Sequence, residues 1–303
     1  MTEQTQQTQQ TQQAQQATTV QVDDVSFHVK QEHDFSWLRK LGRVFCVFDQ
    51  QDSGNLSFGI ERDGIRRFVK YAGARPVRYA GDPRDAIARL EQAMPLYDQL
   101  RHPHLIALRE HFRAGDGYAA VFDWVEGESL HPHESFPPPA KYTHPESPFY
   151  RFRQLPIEQK VAAMEAILAF HAHVEACGYV AIDFYDGSLL YDFQRHAMTI
   201  CDIDMYARKP YTNTMGRMWG SSRFMSPEEF ELGAAIDERT NVFNMGAMAF
   251  ALLGGEPDRS YERWEAGQAR YEAACRAVAP NRACRYASVA EFHAAWQQAE
   301  REG

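Results

Sequence analysis

With 303 residues, 44% of them hydrophobic, the chain can bury a substantial core and is long enough for one or two domains. A net charge of -9 argues against a general nucleic-acid-binding surface, and no apolar run reaches the length of a membrane span. The cysteines Cys46, Cys177, Cys201, Cys275 and Cys284 are widely spaced, without zinc-ligand spacing, which suits reduced thiols in a cytoplasm.

Residues 1–19 are nearly all Gln, Thr and Ala, too polar to pack and without the basic and apolar regions of a secretory signal, so they read as a disordered tail. From Phe35 the pattern changes to strands. Residues 43–48, 56–61 and 66–72 are rich in Val, Phe and Ile and are separated by polar turns, the second ending in Asp63-Gly64, which predicts three antiparallel strands. Lys70 lies on the third. Residues 83–94 predict a helix with Ile87, Leu90 and Met94 on one face and Glu91 among them, kinked or ended by Pro95. Two more strands follow, at 105–112 and 118–124, and the last runs through Asp123 and Val125 into a turn at Gly127.

Residues 128–154 are rich in Pro, His and aromatics, with little sign of regular structure. Loops of this length are usually functional or disordered, so this one is expected to shape access to a site, with His131, His133 and His144 on its surface. Residues 156–176 predict an amphipathic helix with Val161, Met164, Ile167, Leu168 and Val174 inward. His171 and His173 read as favourable charges at its C-terminal end.

Next come two short strands, 188–192 and 197–201, joined by a polar turn at 194–196: a hairpin. Asp183 and Asp186 precede it and Asp202 and Asp204 follow it. Carboxylates brought together in this way suit a hard divalent ion such as Mg²⁺, which takes oxygen ligands from one or two acids and from substrate phosphates. Taken alone, an ordinary hairpin with acidic turns explains the same residues. After a polar segment, 205–222, the run Gly220-Ser221-Ser222-Arg223-Phe224-Met225-Ser226-Pro227-Glu228 opens a helix, with Ser226 as N-cap, Pro227 at the first helical position and Glu229 completing a capping box. Residues 241–253 are apolar on nearly every face and predict a helix buried at the centre of its domain. Helices near 261–278 and from Ser288 close the chain.

Over about residues 36–300 these stretches, in this order, resemble the protein-kinase-like superfamily, in particular the bacterial eukaryotic-type serine/threonine protein kinases. Asp183 matches the catalytic Asp, Ser188 falls at the Asn five residues on, and Asp202-Ile203-Asp204 replaces Asp-Phe-Gly. Lys70 matches the phosphate-contacting Lys, and Glu91, 21 positions later, its ion-pair partner. Gly54 is the glycine that survives from the loop covering the phosphates. Asp123 and Val125 match the backbone positions that read adenine. The run from Gly220 to Glu228 is similar to the family's G-T-x-x-Y-M-x-P-E, and Arg285 matches the Arg that pairs with its Glu, here Glu228. Ala181 and Ile182 stand where the family has His-Arg, and Asn241 where it has a buried Asp.

The resemblance implies an α+β, bilobal fold: a five-stranded antiparallel N-lobe with one helix (20–124) and a mainly helical C-lobe (125–303), together one domain. It implies ATP and Mg²⁺ as cofactors, with Asp202, Ser188 and Asp204 toward the metal, Gly54, Lys70, Asp123 and Val125 toward the nucleotide, and Asp183, Lys70 and Glu91 as the catalytic set. The reaction implied is phosphoryl transfer to Ser or Thr hydroxyls of a protein substrate, with no nucleic acid or membrane partner. Because Ile182 replaces the Arg that normally receives an activation-segment phosphate, activity is expected not to depend on phosphorylation of Thr212 or Thr214. The degenerate motifs leave open a pseudokinase acting as a binding or scaffold module, and a kinase of small molecules such as aminoglycosides.

Overall fold

Residues 17–301 are described by the computed structural model, which is mixed α and β with antiparallel sheets, an α+β arrangement. They divide into two units, residues 17–98 with 107–124, and residues 99–106 with 125–301.

The first unit is built on an antiparallel sheet of β3 (Arg43–Phe48), β4 (Asn55–Arg62), β5 (Ile65–Ala72), β6 (Leu108–Ala114) and β7 (Gly117–Asp123), in the order β3-β4-β5-β7-β6. Asp63 (φ 55°) and Gly64 (φ 73°) form the two-residue turn between β4 and β5, both left-handed as a turn matching the strand twist requires. A second hairpin, β1 (Thr18–Val22) and β2 (Val25–Val29), precedes the sheet. Thr18 and Thr19 thus stand in a strand, not in a tail; Ala17 precedes it without regular structure, and residues 1–16 of the expected tail lie outside the described residues. The alternating Val20, Val22, Val25, Phe27 and Val29 carried that signal, and Val22, Phe27 and Val29 join the core with Phe35, Phe58 and Tyr71. The Phe27 ring meets Phe35 and Phe58 edge-on at 5.1 and 5.5 Å.

Between β5 and β6 runs α1 (Pro83–Gln99), which passes through Pro95 instead of ending there. A mid-helix proline costs about 3 kcal/mol. Burial of Met94, Leu96 and Tyr97, the last with its ring 4.9 Å from Phe122, offsets it. The strand expected at 105–112 begins at Leu108; Ile106 instead gives its N–H to the Ile200 carbonyl, at 2.9 Å, within the second unit.

The second unit centres on α5 (Glu238–Leu253), every residue of which from Thr240 onward is buried. Around it lie α4 (Ile157–Ala176), α6 (Gln268–Ala277) and α7 (Val289–Arg301). Asp237 caps α5, accepting from the Arg239 N–H, and Ser288 caps α7, accepting from the Glu291 N–H at 3.0 Å. The helix expected from 261 is interrupted: a single 3-10 turn, Tyr261–Arg263, is separated from α6 by residues 264–267, the last of them, Gly267, left-handed at φ 78°.

Segment 128–154 is more regular than its composition led us to expect. Its β8 (Glu128–Ser129) pairs with β10 (Leu189–Asp192), and two short helices follow, α2 (Ala140–Thr143) and α3 (Pro148–Arg153), the latter capped by Ser147. Lys141, Phe149 and Phe152 are buried. The polar segment after residue 204 is likewise tied down: β12 (Ala207–Arg208) pairs with β9 (Tyr179–Val180), and β13 (Tyr211–Thr212) with β14 (Ala235–Ile236). All five cysteines are thiols, and no helix among the described residues is long and apolar enough to cross a membrane.

Candidate functional site

Strand β10 pairs with β11 (Ala197–Ile200) in the register Leu189 to Ile200 and Asp192 to Ala197, and the Cys201 N–H extends the pairing to the Ser188 carbonyl at 2.9 Å. Ser188 and Asp202 therefore stand at the same end of the hairpin, as the sequence predicts. Asp202 is exposed; Asp183 and Asp204 are half-buried. Asp183 (φ 62°) and Asp202 (φ 56°) both have left-handed backbones, outside any hairpin turn. Such residues cost about 1–3 kcal/mol and persist where their surroundings hold them, a pattern concentrated at functional sites.

Both carboxylates act on one neighbour. The Tyr206 phenol is held well above its ordinary pKa, first by complete burial and then by the neighbouring Asp202, Cys201 and Asp183. Tyr206 therefore remains a phenol and donates to His171 Nε2 at 2.8 Å, while His171 Nδ1 donates to the Ile167 carbonyl at 2.8 Å. Burial pulls His171 down to about 4, so it is a neutral, hydrogen-bonded ring and not the helix-terminal charge the sequence led us to expect.

Residues 183–188 are specified one by one. Phe184 packs on the His171 ring at 4.3 Å, and Tyr185 lies over Gly187 so closely that a Cβ there would come within 2.4 Å of its ring. The Ser188 N–H donates to the Tyr185 carbonyl at 3.0 Å. Asp186 is wholly buried, receiving hydrogen bonds from His131 Nδ1 (2.8 Å), Arg223 Nη2 (2.8 Å) and the Lys141 ammonium. Burial alone would raise its pKa. The His131 hydrogen bond and the charges of Lys141 and Arg223 outweigh that and hold the carboxyl well below the usual range. Asp186 is thus already engaged three ways and is poorly placed to serve a metal. His131 and His133 are half-buried, their rings stacked 3.6 Å apart, instead of lying on the surface as expected.

Just upstream, Ala181 and Ile182 are buried. Ile182 belongs to an apolar cluster with Val180, Met218, Met225 and Ile236, so the place given to an Arg in the resemblance is filled by hydrocarbon. Asn241 holds Ala181, Asn244 accepts from Asn241 Nδ2 at 3.2 Å, and Asn244 Nδ2 donates to the Phe224 carbonyl (3.0 Å) and to Glu229 (2.7 Å). Glu229 in turn accepts from the Ser226 N–H at 2.6 Å. Beside it, Arg285 binds Glu228 with both terminal nitrogens, at 2.7 and 3.2 Å, the pair the resemblance implied. Gly220, left-handed at φ 128°, lies against Asp183, whose Cα is 3.7 Å from where a Cβ would stand.

In the first unit, Lys70 is buried at 8% exposure on β5, in register with Ser57 and Ala120. Glu91 forms a half-exposed ion pair with Arg113 of β6. Gly54 is left-handed and packs against Tyr79 and Ala86, each of which would lie 2.8 Å from a Cβ added there, so the chain's own packing already requires glycine at this position. Asp49 accepts from the His28 N–H at 3.2 Å. Asp123 gives its N–H to the Ala107 carbonyl and its carboxylate to Arg109 and Arg67. In the second unit, Val125 is half-buried.

Sequence reasoning missed Tyr206 and Lys141 and misassigned His171; the His171–Tyr206 and Lys141–Asp186 contacts join residues 35 and 45 positions apart and leave no local pattern. Among the described residues no three His, Cys, Asp or Glu side chains gather as a metal cage. A cation held by one or two carboxylates and by phosphates asks for less. No family model matches the chain.

Proposed function

We propose that the chain is an ATP- and Mg²⁺-dependent phosphotransferase of the bilobal protein-kinase-like fold, acting on Ser or Thr hydroxyls of a protein. The observation that carries this reading is the pair of left-handed aspartates, Asp183 and Asp202, flanking a hairpin that brings Ser188 and Asp202 to the same end. Their hard oxygen donors fit Mg²⁺, and Asp202 is exposed enough to meet it. Bound Mg-ATP supplies the transferable phosphoryl group and the divalent charge that balances it.

The chain's own residues do the rest by positioning and charge. Asp183 orients the substrate hydroxyl and accepts its proton. Asp202 holds the cation, with Ser188 and Asp204 adding oxygens. Lys70 directs its ammonium at the phosphates, and the backbone groups of Asp123 and Val125 read the adenine edge. A second reading, a binding module without transfer, is favoured by Gly54, whose conformation already serves Tyr79 and Ala86. Radiolabelled ATP offered with a mixed protein pool and, separately, with aminoglycosides decides among them. Label on protein Ser or Thr supports the proposal; label on the small molecules alone, or on nothing despite measurable ATP binding, sinks it.

A further inference from the structure

We propose that Lys141 and Arg223 are positioning residues for Asp183: by gripping the Asp186 carboxylate they hold residues 183–188 in the one backbone arrangement that leaves Asp183 left-handed. The inference rests on reading Asp183 as the residue that meets the substrate hydroxyl. It gives segment 128–154 the role of a strut for that loop.

A left-handed aspartate needs neighbours that leave the chain no alternative. Three residues after Asp183, the side chains of Asp186 and Lys141 meet with both at 0% exposure. Lys141 sits in Ala140–Thr143, a single turn too short to persist alone. It is fixed instead by Ser147, whose Oγ donates to the Lys141 carbonyl at 2.7 Å, and by the Phe149 ring, 4.3 Å from the ammonium. From another part of the chain Arg223 reaches the same carboxylate and also pairs with Glu256. The Arg223 segment touches the loop twice, because Gly220 lies against the Asp183 backbone.

A buried ion pair adds little net stability over an apolar one, since desolvation consumes most of the attraction. What this pair does supply is a single geometry: an acceptor with cations on two sides cannot shift without abandoning one of them. The Tyr185 ring folds over Gly187, where a side chain would have to displace it.

The test uses the full chain and two readouts, amide hydrogen exchange and steady-state phosphoryl transfer from Mg-ATP. In Lys141→Met, the Ser188 and Cys201 amides should exchange at least tenfold faster while those of Glu238–Leu253 keep their rates. kcat should fall at least tenfold, with KM for ATP changing less than threefold. In Lys141→Met/Asp186→Asn, which removes both buried charges, the thermal midpoint should recover toward wild type while kcat and Ser188 exchange stay impaired. Unchanged exchange at Ser188 in Lys141→Met, equal loosening of Glu238–Leu253, or recovery of kcat together with stability in the double variant would each overturn the proposal. A wild-type chain that transfers no phosphate defeats the phosphotransferase reading instead, and the exchange data still decide whether Lys141 holds the loop.

Discussion

Asn241 holds Ala181 by both of its backbone groups: its Oδ1 accepts the Ala181 N–H at 2.8 Å and its Nδ2 donates to the Ala181 carbonyl at 2.8 Å. An amide can do both, whereas a carboxylate only accepts. Asn241→Asp should therefore leave a buried carbonyl without its donor and set a negative charge against it. The expected loss is about 1–3 kcal/mol, read as a lower denaturant midpoint at unchanged slope. A variant as stable as the wild type would show that the amide is not needed.

The Arg285–Glu228 pair is buried, at 0% and 7% side-chain exposure, and the Thr240 hydroxyl also donates to Glu228, at 3.0 Å. Arg285→Met strands the carboxylate and should cost about 3–5 kcal/mol; adding Glu228→Gln should return part of that loss. The Glu228 carboxyl is subject to burial, which raises its pKa, but the Arg285 hydrogen bond and charge lower it below its ordinary 4.5. Its contribution is thus present above about pH 4.5 and lost as pH falls through the lower, folded-state value. Chemical denaturation at stepwise acid pH should show this dependence vanish in the double variant.

His171 gives a second acid dependence, in a higher range. Its folded pKa is about 4 against an ordinary 6.5, so below 6.5 the unfolded chain takes up a proton that the folded chain refuses. Stability from this group is complete above pH 6.5 and declines as pH drops toward 4, by about 3 kcal/mol at ~1.4 kcal/mol per unit. His171→Gln, which does not titrate, should flatten the stability profile between those limits. An equally steep profile in the variant would mean that other groups carry it.

Much of this arrangement could be read in the sequence. The hairpin ending at Asp202 was legible because two short apolar runs flank a polar turn, and α5 because it is apolar all round. The Arg285–Glu228 pair followed from the resemblance alone, across more than fifty residues. Lys141 was not legible: its partner, Asp186, lies 45 positions away, and a lysine in a Pro- and His-rich stretch looks solvated. Neutral His171 was hidden for a related reason, since a residue's burial depends on what packs over it. Pro95 misled in the opposite direction, because tertiary burial of Leu96 and Tyr97 overrode a strong local breaker.

Order in the segment after Asp204 comes from hydrocarbon. Ile182 packs with Met218, Met225 and Ile236, and β13 pairs with β14, while Thr212 and Thr214 are exposed. A phosphate on either threonine would find no cation at Ile182. Thr212→Ala/Thr214→Ala should therefore keep kcat within about twofold of the wild type, since exposed surface substitutions of this kind are usually near neutral. Loss of activity in that variant would mean that phosphorylation sets the segment after all.

The most direct measurement is incubation of the chain with labelled ATP and Mg²⁺, comparing wild type with Asp202→Asn. The proposed function predicts Mg²⁺-dependent transfer of label to protein Ser or Thr by the wild type, and a fall of about a hundredfold or more in the variant, which keeps the size of the side chain but loses its charge. Transfer that is absent in the wild type, or undiminished in Asp202→Asn, would contradict it.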